Sequence, residues 1–349
     1  MKHFAAALLS AAMLLTLAAC GGDPDTAQES IQAIAMDTVM VFTAYGQHST
    51  AAAYAAEKLA YETEALLSRT DPESDVSRLN SAPADTPVEL DGRTAAALEA
   101  ALAWSGRTDG AFDCTLAQVS SAWGFTEDTF CVPGQEELAG LLEHTGFDQI
   151  TLNGTAASHA PEAAVDLGGI AKGWLSDEIL KIFQKNQVPR GRIELGGNIC
   201  VIGDRPDGSP WRIGIQDPAD PLSADAFVGI LHLTDAYTVT SGGYQRYFEE
   251  DGKTYHHIID PATGYPAENG LVSVTVEADA VEGAGAMCDA LSTALFVMGE
   301  EQALEYWRSS GYEFELVLVT EDGRVLVTEG LADRFTAGED TGYRYVTVS

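Results

Sequence analysis

The chain has 349 residues, with 53 acidic against 19 basic side chains and a formal net charge of −34 at pH 7. Acidity of that order repels a phosphate backbone and argues against nucleic acid as a partner; it fits a soluble exported protein and leaves the fold open. The five cysteines, Cys20, Cys114, Cys131, Cys200 and Cys288, form no CxxC pair, which argues against a cysteine-held zinc.

The first predicted element is an address. Lys2 and His3 precede an apolar run from Phe4 to Leu17, too short to span a membrane, which ends Leu17-Ala18-Ala19-Cys20-Gly21. Small residues before a cysteine resemble the bacterial lipobox. Residues 1–20 are therefore expected to be a lipoprotein signal peptide, with Cys20 lipidated, and residues 21–33 a flexible tether. The protein would sit on the extracytoplasmic face of the cell membrane, held by lipid alone. About 320 residues remain, enough for one large or two intimate domains.

Ile34 to Tyr45 alternates as a strand, and Thr50 to Leu67 has the apolar spacing of a helix. Ser74 to Asn80 opens on a Ser/Asp cap. Thr94 to Thr108 reads as a helix stopped by Asp109-Gly110, and Gly110 to Thr115 as a loop or strand leading to Trp123-Gly124-Phe125. Gln135 to His144 is a short helix and Gln149 to Asn153 a strand. Ala163 to Val165 reads as a strand end that meets Gly168-Gly169 and then a helix over Trp174 to Phe183. Strands follow at Arg192–Cys200, Trp211–Gln216, Ala226–Leu233, Ala236–Ser241, Tyr255–Asp260 and Val272–Glu277. Gly285 to Gly299 is a helix packed through Leu291, Leu295 and Met298. Phe314–Thr320 and Arg324–Thr328 form a hairpin over Glu321-Asp322-Gly323. Helices first and strands later, without βαβ alternation, predict an α+β fold: one large mixed α/β domain with a β-rich C-terminal half.

Chemistry concentrates in five places. Asp166-Leu167-Gly168-Gly169-Ile170-Ala171-Lys172-Gly173 has the form of a strand–glycine–helix junction, whose backbone N–H groups can hold phosphate oxygens. It matches neither the GxGxxG fingerprint nor the P-loop. Asp289 and Thr293 stand at i and i+4 on one helix face, a carboxylate and a hydroxyl suited to a hard cation such as Mg²⁺. The bland alternatives stay open at this point: such glycines also serve packing, and an Asp near a helix start also serves as a cap. His257, in His257-Ile258-Ile259-Asp260-Pro261-Ala262-Thr263-Gly264, has a side chain able to accept a hydroxyl proton near neutral pH, or is a core histidine bonded to a carbonyl. Thr240 to Arg246 and Glu194 to Asn198 are two further glycine turns.

Together with Met36-Asp37-Thr38, Ser74 to Asn80 and Gly110 to Asp113, these motifs in this order resemble the FAD:protein FMN transferases, the ApbE-like flavin transferases, from about Ile34 to Phe335. The resemblance implies a T-fold-like domain over residues 34–349 and a Mg²⁺-dependent cleavage of the FAD pyrophosphate. A Thr or Ser hydroxyl of a target protein attacks, FMN becomes phosphoester-linked and AMP leaves. By matching position, Asp289 and Thr293 resemble metal ligands, with the Gly169 carbonyl and with Ser292 beside them, and His257 resembles the base. Met36, Thr70, Ala111, Phe112, Asp113, Asp166, Lys172 and Ser241, with His257, are implied to line the flavin and adenosine pockets. The implied partners are FAD and an exported or membrane flavoprotein carrying a Ser/Thr flavinylation motif. The chain departs from the pattern twice, with Asp37 where many members have glycine and Thr70 where many have an aromatic. The second departure keeps alive an FAD pyrophosphatase that releases FMN and AMP. A non-catalytic flavin-binding lipoprotein is the reading from another class.

Overall fold

The computed structural model describes residues 27–126, 129–311 and 313–349; the signal segment, Cys20 and the first part of the expected tether lie outside them. Nine strands make one sheet in the order β1 (Gln28–Ala35), β2 (Thr38–Tyr45), β6 (Arg190–Leu195), β7 (Asn198–Ile202), β10 (Ala236–Gly242), β13 (Leu271–Asp279), β14 (Glu315–Thr320), β15 (Arg324–Thr328) and β17 (Arg344–Val348). Neighbours run antiparallel except β15 and β17. One face carries Met40, Phe42, Ile193, Leu195, Val274 and Leu318, which alternate along their strands and bury against helices α1 (Ser49–Leu67), α6 (Ala171–Lys185) and α7 (Ala284–Ser309). Full burial of each such side chain stabilises the fold by about 1.5–3 kcal/mol.

The reverse face is covered over part of its width by a small sheet of β16 (Phe335–Ala337), β9 (Phe227–Leu233) and β8 (Trp211–Gln216), through Val201, Leu231, Val317 and Val319. A second layer beside the helices holds α2 (Asp75–Asn80), α3 (Gly92–Arg107) and the three-stranded sheet β3 (Val88–Glu89), β5 (Ala156–His159) and β4 (Ile150–Asn153). Leu98, Phe112 and Val165 pack it against Ile170 of the α6 entry and Ala290 of α7. Helices α4 (Ala117–Ala122) and α5 (Gln135–Leu142) and the ribbon β11 (Tyr247–Glu250) and β12 (Lys253–His256) close around Trp123, Phe125 and Leu138. The α+β architecture with a β-rich second half is as expected.

Several boundaries differ from the expectation. The strand read at Ile34–Tyr45 is a hairpin whose first strand starts at Gln28, so residues 28–33 belong to the sheet rather than to a tether. Ala163–Val165 is not a strand: only Ala164 bridges Leu116, and Asn80 ties Val165 from both sides, giving its Nδ2 to the Val165 carbonyl and taking the Val165 N–H. Arg192–Cys200 is two strands folded back over Gly196-Gly197, because Gly196 takes φ +67°. The strand read at Tyr255–Asp260 stops at His256. Helix α7 runs on past Gly299 but kinks there, at φ 79° and ψ 173°, and Asn269 Nδ2 holds the Phe296 and Val297 carbonyls released by the break. The four described cysteines are unpaired, three of them buried and Cys131 exposed.

Candidate active site at a helix crossing

The site begins where α6 and α7 touch. Gly173 and Gly285 face each other so closely that a Cβ on Gly173 would lie 2.2 Å from the Gly285 carbonyl oxygen. That proximity lets each helix cap the other. Asp289 of α7 accepts the Gly173 N–H in the first turn of α6 at 2.8 Å. Asp177 of α6 accepts the Gly285 and Ala286 N–H groups at the start of α7, both at 2.9 Å. Each carboxylate satisfies orphan helix donors and meets the positive end of the partner dipole. Burial nevertheless pushes the Asp177 carboxyl up to about 6. Asp289 is thus both a cap and a candidate ligand, since a carboxylate has lone pairs beyond the one Gly173 uses.

Around Asp289 the chain places further oxygens. Ser292 Oγ donates to the Asp289 carbonyl at 2.9 Å and lies 2.8 Å from Ser241 Oγ, at the end of β10; Ser241 Oγ is 3.5 Å from Thr293 Oγ1. Gly169 sits beside Thr293, and the Phe112 ring lies against it, 3.0 Å from where a Cβ would be. Four of the residues expected at a metal thus stand together, with Ser241 joining them. Their donors are one carboxylate, hydroxyls and carbonyls; among the described residues no cluster of three His, Cys, Asp or Glu side chains could hold an ion. An all-oxygen set with a single carboxylate fits Mg²⁺ completed by substrate phosphates rather than a transition metal.

The glycine junction is more occupied than its sequence implies. The N–H groups of Gly168, Ile170, Ala171 and Gly173 go to Asp166, Leu167, Leu167 and Asp289. This leaves the Gly169 and Lys172 amides as donors with no protein acceptor among the described residues. Asp166 is held by Arg69, whose Nη1 lies 2.5 Å from Oδ2 and also donates to the Ala117 carbonyl, while Nη2 reaches Ser121 and Thr126. A cleft of about 470 Å³ lined by Arg69, Asn80, Gln118, Ser121, Thr126 and Glu137 opens at this point. Thr70 itself is exposed and bonds only the Ser68 hydroxyl, so its neighbour Arg69 is the residue that enters the site. Asp113 holds Thr115 and the Phe147 N–H and so fixes the Ala111-Phe112 loop. Met36 stands in the β1–β2 turn with φ 50°, beside Asp37 at φ 57°, and its N–H donates to Glu64 Oε1 at 2.7 Å. Two successive left-handed residues make the tight two-residue hairpin that glycine would otherwise serve.

Two adjacent histidines are told apart by their bonds. His256 Nε2 meets the Ala267 carbonyl at 3.1 Å and its Nδ1 accepts the Ile258 N–H, so both ring nitrogens are committed to the fold. His257 Nδ1 faces the Arg246 carbonyl at 3.1 Å. A carbonyl can only accept, so Nδ1 carries the hydrogen and Nε2 keeps its lone pair free. Burial pushes the His257 pKa down to about 4, and the charges of His256, Arg246 and Lys172 act in the same direction. Edge-on contact with Phe125, at 6.4 Å between centroids, and the Gly264 carbonyl bonded to Trp123 Nε1 at 2.7 Å hold the loop. Sequence reasoning missed Arg69 and Asp177; Asn198, within the Glu194 to Asn198 turn it singled out, is a buried amide whose Nδ2 has no acceptor among the described residues.

A helix crossing that gathers oxygen donors, in one fold with a histidine whose Nε2 keeps its lone pair, is the arrangement of a group-transfer enzyme. The chain belongs to the ApbE family, which it matches over residues 36–318. It is 34% identical to the FAD:protein FMN transferase of Vibrio cholerae over 270 residues, 76% of this chain and 79% of that one. The corresponding Haemophilus influenzae protein is 32% identical and shares 96% of this chain and 99% of its own. The crystal structure of an ApbE protein from Thermotoga maritima superposes with a TM-score of 0.81 at 32% identity, covering 88% of this chain and 99% of that one.

Proposed function

We propose that the protein transfers FMN from FAD to a Thr or Ser hydroxyl of a target protein. The observation that carries this reading is the pairing of the Asp289–Ser292–Thr293–Gly169 oxygen cluster with the tautomer of His257. His257 Nε2 takes the proton of the attacking hydroxyl, whose oxygen forms a bond to the FMN phosphorus. The bridging P–O bond of the diphosphate breaks and AMP departs with that oxygen. Asp289, Thr293, Ser292 and the Gly169 carbonyl would hold Mg²⁺, which neutralises charge building on the diphosphate when bound. The free Gly169 and Lys172 amides supply donors to phosphate, and the Arg69–Asp166 pair fixes the rim where the dinucleotide enters.

The same reading places the enzyme outside the cytoplasm, lipidated at Cys20. What supports it is the small-residue run before Cys20, eight positions ahead of the first sheet residue, Gln28. The acceptor is then an exported or membrane flavoprotein with a Ser/Thr flavinylation motif.

The test mixes purified protein, FAD, Mg²⁺ and such an acceptor. The expected result is a fluorescent acceptor band on a denaturing gel with one AMP released per FMN attached. AMP formed at the same rate without acceptor would make the protein an FAD pyrophosphatase instead, and intact FAD after long incubation would make it a flavin binder.

A further inference from the structure

The small sheet stops short of the reverse face of β1, where Gln28, Ser30, Gln32 and Ile34 are exposed. Where its edge steps down to that face runs a groove of about 680 Å³ whose lining includes Tyr45, Arg192, Arg205, Asp207, Trp211 and Arg212. Three of the 19 basic residues of this very acidic chain meet there. Arg192 lies 5.7 Å from the Trp211 ring and pairs with Glu194 at 2.6 Å; Arg205 pairs more loosely with Asp207, at 3.5 Å. Arg212 is exposed and has no acidic partner among the described residues.

A second observation says what surface the groove meets. Gln28 pairs with Tyr45 on the groove wall, and Gly46 N–H donates to the Ala27 carbonyl at 2.9 Å, so the N-terminal segment joins the fold at the lip of the groove. Cys20 precedes Ala27 by seven residues and so lies within about 25 Å of that lip, whatever path the chain takes. The Met36-Asp37 turn of the active site is at the other end of β2, roughly 25 Å away along the strand.

We propose that this groove contacts phospholipid headgroups: Arg192, Arg205 and Arg212 engage lipid phosphates and hold the molecule with its active site directed away from the bilayer. The proposal rests on the reading of Cys20 as a lipid anchor. An acidic protein segment offers similar charge, but nothing in the fold brings one here, whereas the tether delivers this end of the molecule to a membrane.

The test uses the chain without residues 1–20, which carries neither the apolar signal run nor a cysteine to acylate, with vesicles of phosphatidylglycerol and phosphatidylcholine at low salt. The parent is expected to float with the vesicles, to lose them in high salt, and to ignore pure phosphatidylcholine. Each arginine removed should lower partitioning about five-fold, so Arg205→Gln/Arg212→Gln falls on the order of 25-fold, with FAD turnover unchanged. Arg212→Gln alone, which breaks no ion pair, serves as the variant that keeps the fold. Equal partitioning of parent and variants, no binding to anionic vesicles, or preference for poly-glutamate over vesicles would overturn the proposal. Acyl labelling of Cys20 in cells reads the anchor separately: an unlabelled Cys20 with salt-sensitive vesicle binding refutes the anchor and with it the imposed orientation, while the reverse result refutes the groove alone.

Discussion

One methyl group at Gly173 tests the helix crossing. A Cβ there would stand 2.2 Å from the Gly285 oxygen and 2.6 Å from the Asp289 Cβ, where ordinary contact begins at 3.4 Å. The obstacles are backbone and a short stem, neither able to swing aside, so α6 and α7 must part by roughly 1 Å. Overpacking of this kind costs about 1–3 kcal/mol, which lowers the thermal midpoint of a chain this size by about 1–4 °C. The same movement pulls Asp289 from the Gly173 N–H and from the hydroxyls around it, and a misplacement of that size costs about 10²-fold in rate. Calorimetry of Gly173→Ala, with FAD turnover followed against Mg²⁺ concentration, reads both effects. Gly140→Ala is the control: it lies inside α5 with nothing within 4 Å, so the new methyl should stabilise by up to about 1 kcal/mol and leave turnover alone. Parent-like stability and parent-like turnover in Gly173→Ala would falsify the reciprocal capping argument.

His257→Ala should lose about 10²–10⁴-fold in transfer while still binding FAD. Because the pKa of His257 is pushed down to about 4 rather than the usual 6.5, the base is already neutral at pH 6; kcat/KM should stay flat from pH 6 to 8 and fall only toward pH 4, and an acid limb centred near 6.5 contradicts the desolvated site. Asp289→Asn keeps the shape of the cap but loses the charge, so turnover should demand far more Mg²⁺ with only a small fall in thermal midpoint; an unchanged Mg²⁺ dependence removes Asp289 from the ligand set. Asp177 titrates near 6 in the fold against 3.8 as its ordinary value. Its neutral form therefore contributes stability that is present below pH 4 and lost as the pH rises through 6. Urea unfolding should show the deficit of Asp177→Asn shrinking between pH 4 and pH 7, and a deficit that grows over that range is inconsistent with the raised carboxyl.

The long periodic elements were legible in the sequence because burial writes itself into spacing. Helix α1, the Ser74 cap of α2, whose side chain accepts the Ser77 N–H, and the β14–β15 hairpin stand where the pattern puts them. The errors fall where two-residue periodicity cannot see a turn. Met36-Asp37 contains no glycine, yet it folds back tightly because Glu64, from a helix distant in sequence, holds its backbone. Ala163–Val165 is apolar enough for a strand, but Asn80 takes both Val165 backbone groups that a ladder would need.

The sequence alone determined which residue types meet: a carboxylate and a hydroxyl one helical turn apart, a glycine pair before a helix, a histidine before an Asp-Pro turn. Spacing along one element is a local property, so those facts needed no tertiary structure. Tertiary structure decided the rest, because the groups that matter to each residue come from elsewhere in the chain. It made Asp289 a cap for α6 as well as a candidate ligand, recruited Asp177 and Arg69, and drew Ser241 to Ser292 across 51 positions. It also separated His256 from His257, since which nitrogen keeps its lone pair depends on whether the neighbour across the loop is a carbonyl or an N–H.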